Sequence, residues 1–290
     1  MGFLRPEAVG KSYPDVTYEV TREKIAAYLE SYGDTPTIYE NSSPLMYAVV
    51  FAFEAGAAPV FDTDVAEDPA RMLRRLVRGS LDIELVRPVC PGERVVTTAT
   101  VENIEQKSSG ELLTIVTRSR TPNGEPIATV RNIHFIRGET PPEEKSKGAV
   151  GTSNVTDIST RATKPDLPRP SLNPVDFTYA FVVPEAMPAL YADASLDRNP
   201  LHTDPAFARK VGFPNVILQG SATLAVAQRG IVASLCPDAP SRLFKLSCRF
   251  AKPVFPGDNL IVRGQKSGTF DVVNAKHIPV LESGAFALRP

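Results

Sequence analysis

Two stretches of this 290-residue chain repeat each other. One reads "LVRPVCPGERV" at 85–95 and the other "RFAKPVFPGDNL" at 249–260. Pro88, Val89, Pro91 and Gly92 match Pro253, Val254, Pro256 and Gly257 at a constant offset. The acid that follows is Glu93 in one copy and Asp258 in the other. A Pro-Gly turn joining two β-rich runs accounts for each copy locally. Finding it at the same place in two halves implies internal duplication. Between the copies, 139–171 is crowded with proline and charge and cannot bury much apolar surface. The expected organisation is one unit over 1–138, a linker over 139–171 and a second unit over 172–290, a length that suits two domains.

Each half carries the same order of elements. "TREKIAAYLESYG" (21–33) places Ile25, Tyr28, Leu29 and Tyr32 on one helical face. "PEAMPALYADASL" (184–196) takes that place in the second half, and its Pro188 predicts a helix that starts late or kinks. A longer apolar helix follows in each: 43–56, with Ser43 as N-cap and Pro44 in the first turn, and 220–236, rich in small residues. Strands are expected at 80–88, 93–104, 111–121 and 126–137, then at 242–252, 258–266, 269–276 and near 280. A long helix followed by an antiparallel sheet, twice over, is an α+β fold.

Composition narrows the function. Hydrophobic residues make up 42% and charged residues 22%, with a formal net charge of −1 and no long block of like charge. A nucleic-acid binder would need a basic face, so nucleic acid is not expected as a partner. Cys90, Cys236 and Cys248 form no CxxC pair, which argues against a disulfide framework or a cysteine zinc site and for a reducing compartment. No apolar run is long enough to span a bilayer, no secretory signal is expected in "MGFLRPEAVGKSYPD", and "FALRP" is not the SKL-type peroxisomal address. A cytoplasmic location and no membrane partner are the expectation.

The chemistry concentrates in "DRNPLHTDP" (197–205). Asp197 and His202 lie at opposite ends of a tight Asn-Pro turn, so their side chains can converge on one water. Histidine suits such a role because its ordinary pKa, about 6.5, lies near working pH. Asn199 can bond the turn's own backbone. Asp204 reads as an N-cap, with Pro205 as first helical residue and Gly212 as stop. Gly220 opens the 220–236 helix, where amides have no internal partner and the dipole is positive. His134 reads as a strand residue and His277 as exposed. A metal held by His202, Asp197 and Asp204 lacks a third nitrogen or sulfur ligand, so no metal is expected.

The run "YADASLDRNPLHTDPAFARKVGFPNVILQG" (191–220) followed by "RFAKPVFPGD" resembles the MaoC-like (R)-specific enoyl-CoA hydratases, also called hydratase 2. The first half resembles the degenerate N-terminal repeat of their two-domain members. This resemblance implies a double hot-dog fold, each sheet wrapping a central helix. It implies addition of water to a trans-2-enoyl thioester, giving the (3R)-hydroxyacyl thioester, or the reverse dehydration. Asp197 and His202 would activate the water, and the Gly220 amide would hold the thioester carbonyl. Phe250 would lie beside the substrate, although core packing explains it equally. Arg78 and Gly79, with Lys107 in a hairpin, would contribute to coenzyme A and acyl binding. No cofactor is implied beyond the coenzyme A or acyl-carrier portion of the substrate, and pairing into a homodimer fits the family. Two positions depart from the usual pattern. Leu196 stands where glycine precedes the aspartate, and Gln219 where histidine precedes the glycine.

The repeat supplies an internal comparison. Aligning "YLESYGD" (28–34) with "YADASLD" (191–197) sets Asp34 opposite Asp197 and Tyr39 opposite His202. One active site per chain is expected, in the second half, with the first half shaping an acyl tunnel. A hot-dog thioesterase or a non-catalytic acyl-thioester-binding protein are the alternatives. The thioesterases usually place a carboxylate on the central helix, and 220–236 carries none.

Overall fold

The computed structural model describes residues 2–39, 42–138 and 174–290. The linker expected at 139–171 lies outside the described residues, as do the unit boundaries next to it. The first half contains β1 (Val16–Glu19), α1 (Arg22–Ser31), α2 (Ala48–Phe51), α3 (Phe53–Ala57) and α4 (Pro69–Leu73), then β2 (Leu76–Leu85), β3 (Arg94–Lys107), β4 (Gly110–Arg120) and β5 (Pro126–Arg137). The second contains β6 (Phe177–Val182), α5 (Met187–Ser195), α6 (Pro205–Lys210) and α7 (Gly220–Leu235), then β7 (Leu243–Phe250), β8 (Asn259–Gln265), β9 (Thr269–Asn274) and β10 (Pro279–Leu288).

All ten strands join one antiparallel sheet in the order β1-β3-β4-β5-β2-β7-β10-β9-β8-β6. Read outward from the centre, the two sides give corresponding strands in the same order. The halves meet where β2 pairs with β7, from Ser80–Arg249 to Glu84–Lys245. The duplicated turns share their backbone geometry. Gly92 and Gly257 both take positive φ, 92° and 84°, a conformation that glycine adopts without steric cost. Gly92 donates to the Val20 carbonyl at 2.8 Å, and Gly257 to that of Val183 at 2.8 Å. This is the expected α+β, double hot-dog arrangement.

A single apolar core spans both halves and includes Tyr28, Tyr47, Phe51, Leu81, Ile83, Ala225, Leu246 and Phe270. Helix α1 buries Ile25, Tyr28 and Leu29, with Tyr32 just beyond its end, as its periodicity predicts. The hydroxyls of Tyr28 and Tyr191, equivalent residues of the two repeats, meet at 3.1 Å on the pseudo-twofold axis. Helix α5 begins at Met187, so Pro188 falls in its first turn, where the missing N–H costs nothing. In α7 every residue from Ser221 to Gln228 is buried. Its small side chains let the helix lie close to the sheet; a Cβ on Gly230 would come within 3.0 Å of Tyr179.

The structure corrects two expectations. The helix expected over 43–56 is broken into a 3₁₀ turn, Leu45–Tyr47, followed by α2 and α3, which are interrupted at Ala52. Ser43 is not its N-cap. Its Oγ accepts from the Val89 amide at 3.2 Å and its own amide donates to Val89 O at 2.9 Å, so the residue is drawn into the neighbouring turn. Tyr47, Val49, Val50, Phe51 and Phe53 crowd this segment with aromatic and β-branched side chains, which lose rotamer freedom in a regular helix. The sequence reading also missed β1 and β6, the short outer strands of the sheet.

Candidate active site

Helix α5 ends at Leu196, which adopts the left-handed region at φ 69°. A leucine therefore takes the backbone turn that glycine takes most easily, and the chain is redirected as it would be with glycine. Asp197 follows, half-buried, with its amide donating to Ser195 Oγ at 3.4 Å. Asn199 Oδ1 accepts from the Leu201 amide at 3.0 Å and caps a single 3₁₀ turn, Pro200–His202. Asp204 then caps α6, accepting from the Ala206 and Phe207 amides at 2.8 and 3.2 Å. Gly212 takes φ 96° just beyond the end of α6, which is helix-stop geometry.

His202 is buried, and its Nδ1 lies 2.8 Å from the Ile217 carbonyl oxygen. A carbonyl can only accept, so the neutral ring carries its proton on Nδ1. Nε2 is left as the basic atom. Burial pushes the imidazole pKa below its usual value, while the nearby Asp197 carboxylate and the Ile217 bond oppose that shift and the Arg78 charge adds to it. The balance keeps the base neutral near pH 7. Ile217 is held in turn by its amide bond to Leu201 O at 3.3 Å, and Leu218 donates to Val254 O in the duplicated turn at 2.8 Å. Ile217 was not legible as a site residue, because only its backbone carbonyl acts.

Helix α7 starts at Gly220, whose amide meets no acceptor among the described residues. A Cβ on Gly220 would lie 2.9 Å from the Phe250 ring, so the ring packs directly on the helix's first turn. Phe250 is half-buried and also packs against the core. Gln219 is fully buried; its Nε2 donates to Pro188 O at 2.9 Å and ties α7 to α5, while its Oε1 has no partner among the described residues.

The β2–β7 ladder ends at Ser80–Arg249, one residue short of Gly79 and Phe250, so Gly79 adjoins this end of the site. The charge of Arg78 acts on both His202 and Tyr191. Lys107 is not brought to this place. It sits at the tip of the β3–β4 hairpin, ion-paired with Glu105, on a strand three places from β2 and so roughly 14 Å away at sheet spacing. His134 is buried in β5 and His277 is exposed. Among the described residues no cluster of three or more His, Cys, Asp or Glu side chains is arranged to hold a metal ion.

Residues 166–282 match the family model described as "MaoC like domain", and residues 7–130 match "FAS1-like, dehydratase domain region". The second half thus carries a MaoC-like domain and the first half a FAS1-like dehydratase region. A Mycobacterium tuberculosis protein named 3-hydroxyacyl-thioester dehydratase Y is 29% identical over 272 residues, covering 89% of this chain and 86% of that one. An Arabidopsis thaliana protein named enoyl-CoA hydratase 2, peroxisomal, is 30% identical over 192 residues, covering 64% of this chain and 58% of that one. The crystal structure of a MaoC-like dehydratase from Phytophthora capsici superposes with a TM-score of 0.73 at 25% identity, covering 98% of this chain and 96% of that one.

The first half holds a counterpart of the MaoC-like domain's loop, with its polar groups turned on each other. Tyr39, opposite His202, donates its hydroxyl to Asp34 Oδ2 at 3.2 Å. Asp34 also accepts from the Thr35 amide at 2.9 Å and has Arg229 Nε at 3.9 Å. Burial nevertheless raises its pKa. The equivalent hydrogen bonds Ser43 N to Val89 O and Leu218 N to Val254 O set Leu45 opposite Gly220. The first half thus lacks both the imidazole and the exposed glycine amide.

Proposed function

We propose that the chain adds water across the double bond of a trans-2-enoyl thioester to give the (3R)-3-hydroxyacyl thioester, or runs the reverse dehydration, as a hydro-lyase. The single observation that carries this reading is the His202 Nδ1 bond to Ile217. It leaves Nε2 as the basic atom of a buried, neutral ring beside the Asp197 carboxylate. A water donating to Nε2 and to Asp197 loses a proton to the imidazole as its oxygen bonds to C3. The electron pair of the double bond moves onto the thioester carbonyl, where the Gly220 amide and the positive end of α7 stabilise the charge. The proton then returns to C2, so one water is added in all. A well-placed donor of this kind is worth about 3 kcal/mol in the transition state.

The substrate is a coenzyme A or acyl-carrier thioester, and every residue named in this scheme belongs to one chain, which pairs into a homodimer in this reading. Cys90, Cys236 and Cys248 are all free thiols, which suits a reducing compartment such as the cytoplasm. No helix among the described residues is long and apolar enough to cross a membrane. The test is loss of enoyl thioester absorbance on a panel of enoyl-CoAs, with free thiol and product stereochemistry measured together. Hydration without thiol release, giving the (3R) product, supports the reading. Thiol release would instead favour a thioesterase, and tight binding without turnover a carrier.

A further inference from the structure

Arg78 is turned into the protein by a β-bulge. Along β2 the residues buried against the helices are Leu81, Ile83 and Leu85, which lie opposite Asn132, Val130 and Ala128 of β5. Continued without a break, this alternation would point Arg78 to the outer face. The register instead shifts between Arg78 and Ser80, since Ser80 faces Ile133 and Arg78 faces His134. Gly79 is the extra residue, and a Cβ there would come within 3.2 Å of Ile133 O. Bulges of this kind re-aim a side chain next to a site. Arg78 therefore shares the inner face with Asn132 and the buried His134, beside the second half's His202, Tyr191 and Cys248, all of which feel its charge.

Asp197 shares the surroundings of Arg78, since both charges act on His202 and Tyr191, but no carboxylate lies within ion-pair distance of the guanidinium among the described residues. Arg78 is half-buried and makes no ion pair or hydrogen bond among the described residues. His134, directly across the ladder, is held neutral by burial and by Arg78, and its Nδ1 has no partner among the described residues. A half-buried, inward-facing guanidinium without an ion-pair partner is placed to receive an anion. The thioester carbonyl already has the Gly220 amide. The pantetheine arm keeps the coenzyme's phosphates well away from the reacting carbons. What remains is the acyl group itself. A guanidinium fork matches the two oxygens of a carboxylate.

Resting on the hydratase reading, we propose that Arg78, with Asn132 and His134 around it, binds a carboxylate carried on the acyl portion of the substrate. The preferred substrates are then enoyl thioesters of dicarboxylic acids rather than of plain fatty acids. The test compares two trans-2-enoyl-CoAs of equal chain length, one ending in a methyl and one in a carboxylate, on the full chain and its Arg78→Met and Arg78→Lys variants. The readout is the ratio of kcat/KM for the two substrates, with the ratio of Kd for their saturated analogues measured by calorimetry. A site built around one polar group discriminates steeply, so the wild-type ratio should favour the carboxylate at least about tenfold. It should fall towards one in Arg78→Met and lie between in Arg78→Lys. A wild-type ratio near one, or a ratio that Arg78→Met leaves unchanged, overturns the proposal. Failure of both substrates to turn over would overturn the hydratase reading instead, and the Kd ratio would still decide the role of Arg78.

Discussion

Leu196 takes a left-handed backbone turn of the kind glycine adopts most easily. It holds φ 69°, where a branched side chain crowds the backbone by roughly 1–2 kcal/mol, and its side chain is partly exposed. Leu196→Gly should therefore raise stability by up to about 1 kcal/mol, read as a higher Tm. A lower Tm would mean that leucine packing outweighs the backbone strain. The two buried histidines set the response to acid. Both His202 and His134 have pKa values pushed below 6.5 by burial, His134 to about 3. Between those values the unfolded chain binds protons that the folded one refuses. Above pH 6.5 neither group costs stability; as pH falls from 6.5 towards each native value stability is lost, at up to about 1.4 kcal/mol per unit for His134. Urea unfolding at pH 7.5 and pH 5.5 should show the lower stability at pH 5.5. The same shift predicts that kcat/KM stays level below pH 6.5 and falls only at more acid pH, since the base is needed neutral. A fall centred at or above 6.5 would contradict it.

Helix α7 carries the site at its first turn, and its first residue is fixed by contact with a strand. Gly220→Ala places a methyl 2.9 Å from the Phe250 ring and beside the amide that would hold the carbonyl. It should lower kcat about a hundredfold, the scale of losing one oxyanion donor, and adding Phe250→Leu should recover part of it. Steady-state kinetics on the single and double variants checks this. Elements whose limits are written in local side chains were legible from sequence: α1 from the spacing of Ile25, Tyr28, Leu29 and Tyr32, α6 from Asp204 and Pro205, and α5 from Pro188. The turn that carries Asp197, Asn199 and His202 and the helix start at Gly220 were legible for the same reason, since they fall within one continuous motif. What depends on a distant partner was not. The bulge at Gly79 exists only in the register of β2 against β5, and the role of Ile217 lies in a carbonyl.

The pseudo-twofold axis makes one chain do what two hot-dog units would do together. Tyr28 and Tyr191 meet on that axis, and Gln228 of α7 reaches across it, donating to Tyr39 at 3.3 Å and accepting from the Met46 amide at 2.7 Å. With Leu45 opposite Gly220 and Asp34 bonded to Tyr39, the first half cannot be made into a second site by one change. Tyr39→His added to an inactive second-half variant should restore no turnover, and any measurable hydration by that double variant would contradict this division of labour. The most direct test of the whole scheme is the initial rate of enoyl-CoA hydration by Asp197→Asn and His202→Gln, each with its Tm recorded. Losses of about a hundredfold to ten-thousandfold, with a folded protein that still binds the thioester, are what the water-activating pair requires. Folded variants that hydrate at the wild-type rate would contradict it.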